Sequence, residues 1–552
     1  MMRFIGRATL GLVYAACLLV AIWVLIELAA TLVPPRPDAH AHGAGLRLER
    51  GRQHVLLLEG DPYALGFYNV LLTTQLLRRQ EDTLLDLLFG FARGPGRAMV
   101  IRELSLLYLT GIGAYLTPAE RQEILGLTHG SADPFPDLGP RYTRLTAYHA
   151  IHELSQRFAT DNPSVGCSLM AVGSARSIDG HALLARNFDF EGGEVFDLDK
   201  MVLAVKPRSG FGFVSVAWAG MAGVVSGINE AGLVIVINAG ASREYRRVGA
   251  PTSLLVRRAL ERAATLEEAV AVLTEEPRFV TDIIGLAEAS GRVAVLELLP
   301  ESFALRTDDL LVATNHLESP GLSDDPTNLA QMRRTTTVPR HQRLEAIATL
   351  DHATDGPRRI PLSFGVDELL TVLRDRYAHA GQRLLPLGHR HALDALIATH
   401  SVIFDATARR IWVSEGPHTL GPYHGYDVRA LVRAANETEA KMAFLPDLPA
   451  DPMLAAYPRV AQARLSWKLA ERALAADDLD RADATLRRAA LLADHPATLR
   501  LAAEVATRRG DLPRARELLR RALAAPPEFA DESRRIEAAL AELEVNSLPP
   551  GP

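Results

Sequence analysis

From Ser168 onward the chain breaks into short runs of Val, Ile, Leu and Ala, each ended by Gly, Asp or Asn. "SLMAVGSAR", "HALLARNFDF", "KMVLAVKP", "FGFVSVAWAG", "GVVSGINEAG" and "LVIVINAG" follow one another at close intervals. Runs of this length and composition are strands, and the Asp179-Gly180 pair between the first two supplies a hairpin turn. "FVTDIIGLAEASGRVAVLELLP" and "SFALRTDDLLVATNH" add more strands, and "THSVIFDATARRIWVSEG" closes as a hairpin. Two segments carry helical spacing instead, "PTSLLVRRALERAATLEEAVAVLTEE" and "GVDELLTVLRDRYAHA", with a capping signal near Thr265. Helices in blocks, rather than in strict alternation with strands, predict an α+β chain with a layered antiparallel sheet.

The flanks differ in texture. Residues 46–166 read as mainly helical, with "YNVLLTTQLLRRQEDTLLDLLFGF", a cap at Thr117-Pro118 and the amphipathic "LTAYHAIHELSQRF". At the start, Arg3 and Arg7 precede "GLVYAACLLVAIWVLIELAATLV", whose one charge is Glu27. About 20 apolar residues span a bilayer as a helix, and leading basic residues favour an N-in, C-out orientation. Residues 1–45 are therefore expected to be a transmembrane anchor and linker. That puts the rest at the inner or plasma membrane, facing the periplasm or cell exterior. A cleaved signal peptide is the second reading.

At the other end, "MAFLPDLPADP" is a linker, and residues 453–545 carry Ala and Leu at helical spacing. "DLDRADATLRRAALLA" from Asp478 aligns with "DLPRARELLRRALAAP" from Asp511 at a period of 33. That period resembles a tetratricopeptide unit, a surface for a protein partner; a plain helical bundle is the other reading. Hydrophobic residues at 48% and charged residues at 23% exclude global disorder. A net charge of −6 without a basic stripe argues against nucleic acid as the main partner.

Only two cysteines occur, Cys17 in the apolar N-terminal run and Cys167 immediately before the first strand. An exported chain meets an oxidising compartment, and Cys167 has no second cysteine near it in the soluble part. It is either a small buried apolar residue or a working thiol. If the Gly166–Cys167 bond were cut, thiol and free α-amine would share one residue. An amine titrating near pH 8 could then act as base for its own side chain.

"GCSLMAVGSARSIDGHALLARNFDF" resembles the processed N-terminus of an N-terminal-nucleophile (Ntn) hydrolase. The nearest branch holds acyl-CoA:6-aminopenicillanic acid acyltransferases, bile salt hydrolases and acid ceramidases. The shared pieces are Cys167, the Asp179-Gly180 turn, the Arg186-Asn187-Phe188-Asp189 strand, "GINEAGLVIVINAG" ending near Asn238, "VATNH" with Asn315, and the closing hairpin. Upstream, "LEGDPYALGFYNVLLTTQL" resembles the entry segment of the acyltransferase branch.

The resemblance implies a four-layer αββα sandwich over 167–440, preceded by a helical pro-segment over 46–166. It implies Cys167 as nucleophile for self-cleavage after Gly166 and for acyl transfer, with its new α-amine as base. Asp189 would orient that amine, Arg186 would sit beside the thiolate, and Asn238 and Asn315 would stabilise the oxyanion. Arg340 is the nearest match to a second family arginine, with Arg333 and Arg334 as rivals. The implied activity is cleavage of a linear amide, or transfer of its acyl group, through an S-acyl enzyme. Tethering to a membrane would favour a small-molecule or lipid-like acyl amide.

Other chemistries fit less well. His149, His152 and His181 offer ring nitrogens without a clustered carboxylate, so neither metal nor cofactor is expected. No G-x-S-x-G elbow is present. The alternative from another class is an interaction scaffold built on the C-terminal repeats, carrying an inactive Ntn domain.

Overall fold

The computed structural model describes residues 17–22, 25, 42–91, 111–158, 166–349, 363–379, 383–490, 495–529 and 532–545. Its strands form two sheets. The first runs in spatial order β1 (Gly43–Arg50), β2 (Gln53–Gly60), β5 (Met201–Pro207), β6 (Phe213–Ala217), β7 (Ser226–Asn229), β8 (Val234–Ala239), β9 (Asp282–Ala287), β10 (Val293–Leu298) and β11 (Phe303–Thr307). The second is β12 (Leu310–Ala313), β3 (Ser168–Val172), β4 (Leu183–Asp189), β13 (Ala398–Asp405), β14 (Arg410–Ser414), β15 (Tyr423–Asp427) and β16 (Phe444–Leu448). Neighbours are antiparallel except β2 and β5, which run parallel.

Side-chain alternation assigns the layers, because successive residues of a strand face opposite ways. On β8, Val234 and Val236 join the core between the sheets, while Ile235 and Ile237 join the core under the outer helices. On β4, Leu184 faces the first sheet, and Leu183 and Ala185 face outward. Both sheets are thus apolar on both faces and need a cover on each side. Helices Pro62–Phe91, Pro118–His129, Thr252–Arg262 and Leu266–Thr274 cover the first sheet. Thr337–Thr349 and Val366–Leu373 cover the second. The result is an αββα sandwich.

Local sequence places these helices. Thr117 and Glu120 form a reciprocal capping box, with Pro118 in the first turn. Thr265 accepts from the Glu268 amide at the start of the helix after it. Where the sheets touch, a Cβ on Gly285 of β9 would lie 2.9 Å from Val236 Cγ2 and 3.1 Å from Leu169 Cδ2, so those side chains would have to give way.

Two expectations change. Residues 46–60, read as the start of a helical segment, lie in the β1–β2 hairpin, turned at Gly51 with φ 58°. "QHVLLLEG" lies between β1 and β5 with most of its residues buried, so its continuous apolar run is that of a doubly covered strand. The transmembrane helix expected within 11–33 is withdrawn: no helix among the described residues is long and apolar enough to cross a membrane. Of that stretch only 17–22 and 25 are described. The membrane partner rested on that helix and loses its support with it.

Beyond β16 the chain forms helices Tyr457–Ala475, Leu479–Ala489, Pro496–Arg508, Leu512–Ala524 and Glu532–Val545. The 33-residue repeat appears as repeated caps: Asp478 accepts from the Arg481 amide and Asp511 from the Arg514 amide. These helices are fastened to the segment leading into β13. Half-buried Arg464 donates to the carbonyl oxygens of Gly388, Ala395 and Leu396, and the Arg390 amide donates to Glu528.

Candidate active site

Cys167 stands one residue before β3 and is fully buried. The β3–β4 register puts Ser168 opposite Asn187 and Leu169 opposite Arg186. Alternation along β4 then turns Arg186 into the space between the sheets, like Leu184, and its guanidinium reaches Cys167 Sγ at 3.9 Å. Arg186 is itself wholly buried, and each of its side-chain nitrogens has a partner. Nε donates to Asn238 Oδ1 at 3.0 Å, and Nη1 donates to Val225 O at 2.9 Å and Ser226 Oγ at 2.6 Å. Its guanidinium also lies over the Phe188 ring, 4.4 Å from the centroid.

Arg340, on helix Thr337–Thr349, approaches from the other side. It donates to the carbonyl oxygen of Cys167, to Ser168 Oγ at 3.0 Å, to Asn315 Oδ1 at 3.0 Å and to Thr336 Oγ1 at 3.2 Å. Its rivals Arg333 and Arg334 close the preceding helix, Pro326–Arg334, and are exposed.

The two asparagines are arranged reciprocally. Asn238 Nδ2 donates to Thr314 O at 3.1 Å, and Asn315 Nδ2 donates to Ala239 O at 2.9 Å. Each side-chain oxygen accepts from one arginine, which fixes the amide orientation chemically, since only the oxygen can meet a guanidinium N–H. Each amide nitrogen keeps a second N–H beyond the one given to the backbone. The donors expected to face an oxyanion thus also hold both arginines in place.

Asp189 ends β4. Its Oδ2 is buried without a hydrogen-bond partner and lies 3.4 Å from where a Cβ on Gly166 would be. The Gly166 amide donates to Asp189 O at 3.2 Å. Burial pushes the Asp189 carboxyl up to about 7, against the pull of Arg340, Arg390 and Arg186. Burial likewise raises the Cys167 thiol above its ordinary value, while Arg186 and Arg340 work the other way. The Arg186 guanidinium is brought down to about 10 by the same desolvation. An unpaired acid beside Gly166 and a thiol between two arginines are costly to bury, and costly titratable groups gather at reactive sites.

All six expected residues therefore meet around the Gly166–Cys167 bond. Two more belong with them. Ser226 Oγ bridges Arg186 to His400 Nε2 at 2.9 Å, and His400 stacks on Phe188 with centroids 5.1 Å apart. Burial and the neighbouring Arg186 hold His400 well below the usual imidazole range, so it is neutral. Ser226 and His400 lie inside strands, where nothing in the local sequence marks them as different from core residues. The histidines that drew attention in the sequence lie apart. His149 accepts from the Ala222 amide, His152 meets Asp282 and His181 meets Asp405.

A buried cysteine at the head of a strand, set between two sheets and flanked by arginine, asparagine and aspartate, is the arrangement that the sequence resemblance implies. Residues 176–416 match the family described as acyl-coenzyme A:6-aminopenicillanic acid acyl-transferase. The matched stretch contains Arg186, Asp189, Asn238, Asn315 and Arg340 and begins just after Cys167. An uncharacterized protein of Archaeoglobus fulgidus is 23% identical over 299 residues, covering 48% of this chain. The chain spans about half the length of that curated relative, 50% of it.

Solved structures are similar at low identity. A Caenorhabditis elegans N-acylethanolamine-hydrolyzing acid amidase ortholog is 18% identical, covering 44% of this chain and 93% of its own, with a TM-score of 0.29. A penicillin V acylase from Agrobacterium tumefaciens is 14% identical, covering 52% and 98%, with a TM-score of 0.28. A conjugated bile acid hydrolase variant from Clostridium perfringens is 12% identical, covering 45% and 89%, with a TM-score of 0.29. TM-scores this low carry no inference about this chain.

Proposed function

We propose that this chain is a self-processing cysteine Ntn hydrolase that cuts its Gly166–Cys167 bond and then acts on a linear acyl amide through an S-acyl enzyme. The observation that carries the reading is the approach of the Arg186 guanidinium to Cys167 Sγ at 3.9 Å, with an unpartnered Asp189 oxygen beside Gly166. A core cysteine needs neither.

In processing, the Cys167 sulfur attacks the carbonyl carbon of Gly166. The Gly166–Cys167 C–N bond breaks as a thioester forms, and the thiol proton ends on the Cys167 nitrogen. Asp189, protonatable near neutral pH, is placed to relay it. Water then hydrolyses the thioester, leaving a Gly166 carboxylate, a free thiol and a new α-amine. In turnover that amine, titrating near pH 8, takes the thiol proton as sulfur adds to the substrate carbonyl. The second N–H groups of Asn238 and Asn315 serve the resulting oxyanion. Collapse expels the amine, which takes up the proton held by the α-ammonium, and leaves an S-acyl enzyme. Water completes hydrolysis; a second amine completes acyl transfer, the reaction in the family's description.

The test is incubation of the purified chain with a panel of acyl amides, followed by intact mass. A transient mass increase equal to the acyl group, absent in Cys167→Ala, supports the reading. A processed protein that neither turns over nor acylates on the panel counts against it.

A further inference from the structure

We propose that His316, Glu318 and His341 form a zinc site that fastens the segment leaving β12 to helix Thr337–Thr349. Each of the three offers one ligand atom, and these atoms lie within 4.8 Å of one another. Glu318 Oε2 and His341 Nε2 are 3.1 Å apart. Zinc–nitrogen and zinc–oxygen bonds of about 2.0–2.1 Å place neighbouring ligands of a tetrahedral ion roughly 3.3 Å apart, so this pair is already at ligand spacing. The two imidazole rings meet edge to face, with centroids 4.9 Å apart.

The atoms facing away from this meeting point are held from outside. His316 Nδ1 lies 2.9 Å from Thr337 Oγ1, His341 Nδ1 lies 3.4 Å from Glu345 Oε2, and Glu318 Oε1 accepts from Arg306 at 2.7 Å. Ligating imidazoles are characteristically steadied through their second nitrogen, and ligating carboxylates through their second oxygen. Both histidines are buried and Glu318 is half-buried, so an ion would enter past the carboxylate and keep a fourth position for water. Two imidazoles and one carboxylate form a donor set that suits zinc.

The site would have a clear consequence. His316 follows Asn315 and His341 follows Arg340, and Asn315 and Arg340 are bonded at 3.0 Å. One ion would therefore pin both backbones that carry this pair. The histidines lie far apart in sequence, which is why no short spacing motif announces them.

The experiment uses the full chain, stripped with a chelator, dialysed against zinc at a buffered free concentration and assayed for bound metal and thermal unfolding. About one zinc per chain and a higher unfolding midpoint with zinc are expected. His341→Ala and Glu318→Gln should lose both effects. Glu345→Ala, on the helix surface and removing only an outer partner, should weaken zinc binding about 10–100-fold. Zinc uptake by the wild type no greater than by His341→Ala, or unchanged affinity in Glu345→Ala, would overturn the site and leave an ion-pair cluster. Metal stoichiometry needs neither self-cleavage nor turnover, so failure here is separate from failure of the proposed reaction.

Discussion

Arg340 reaches back 173 residues to donate to the carbonyl oxygen of Cys167, the residue whose own peptide nitrogen is the proposed leaving group. The guanidinium makes four such contacts at once, and a lysine ammonium has neither the reach nor the fork to reproduce them. Arg340→Lys keeps the charge and should fold. Losing a charged hydrogen bond costs about 1.5–3 kcal/mol, so self-cleavage should slow roughly 10–100-fold. Time courses of fragment appearance on denaturing gels measure this; an unchanged rate would remove Arg340 from the site.

Asn238 and Asn315 should behave as a coupled pair. Each holds one arginine and donates to the backbone beside the other, so the sites share partners. Single alanine variants should each lose about 10²–10³ in kcat, the usual loss for one oxyanion donor. The double variant should lose less than the product of the two singles. Losses that multiply cleanly would show two independent donors.

Asp189 makes the uncut chain's stability depend on pH with a definite sign. Its folded pKa, about 7, lies above its ordinary value, so the folded state holds more protons between about pH 4 and 7. Stability is therefore highest at the acid end of that window and falls as pH rises through it. Glu123, Glu153 and Glu528, also raised to about 7 by burial, act in the same direction. The diagnostic quantity is thus a difference. Unfolding midpoints of uncleaved Cys167→Ala should drop more from pH 5 to pH 8 than those of Cys167→Ala/Asp189→Asn. Equal drops would mean that Asp189 is not buried as a strained acid.

The C-terminal helices should support the catalytic sandwich. Arg464 satisfies three carbonyl oxygens in the segment entering β13, which pairs with β4 and so with Arg186 and Asp189. Arg464→Ala leaves those acceptors buried and unmet, at about 1–3 kcal/mol for a lost partner. Its urea midpoint should fall, and Arg464→Lys should recover part of the loss. An unchanged midpoint would mean that the tail is a detachable appendage.

Much of the fold was legible because strand composition is local. The β-branched run Val234 to Ile237 and the Asp179-Gly180 turn announce themselves without tertiary information. Cys167, Arg186 and Asp189 were legible as a motif because they share one hairpin. The β1–β2 hairpin was not, because a strand covered on both faces has no period to distinguish it from the helix beside it. Ser226 and His400 were hidden for a different reason: their role is created by the crossing of two strands 174 residues apart.

The central claim concerns one bond. Intact mass and N-terminal sequencing of the purified chain should find a fragment beginning at Cys167, with Cys167→Ala remaining a single polypeptide. A wild-type chain that keeps the Gly166–Cys167 bond whole while cleaving acyl amides would contradict self-processing.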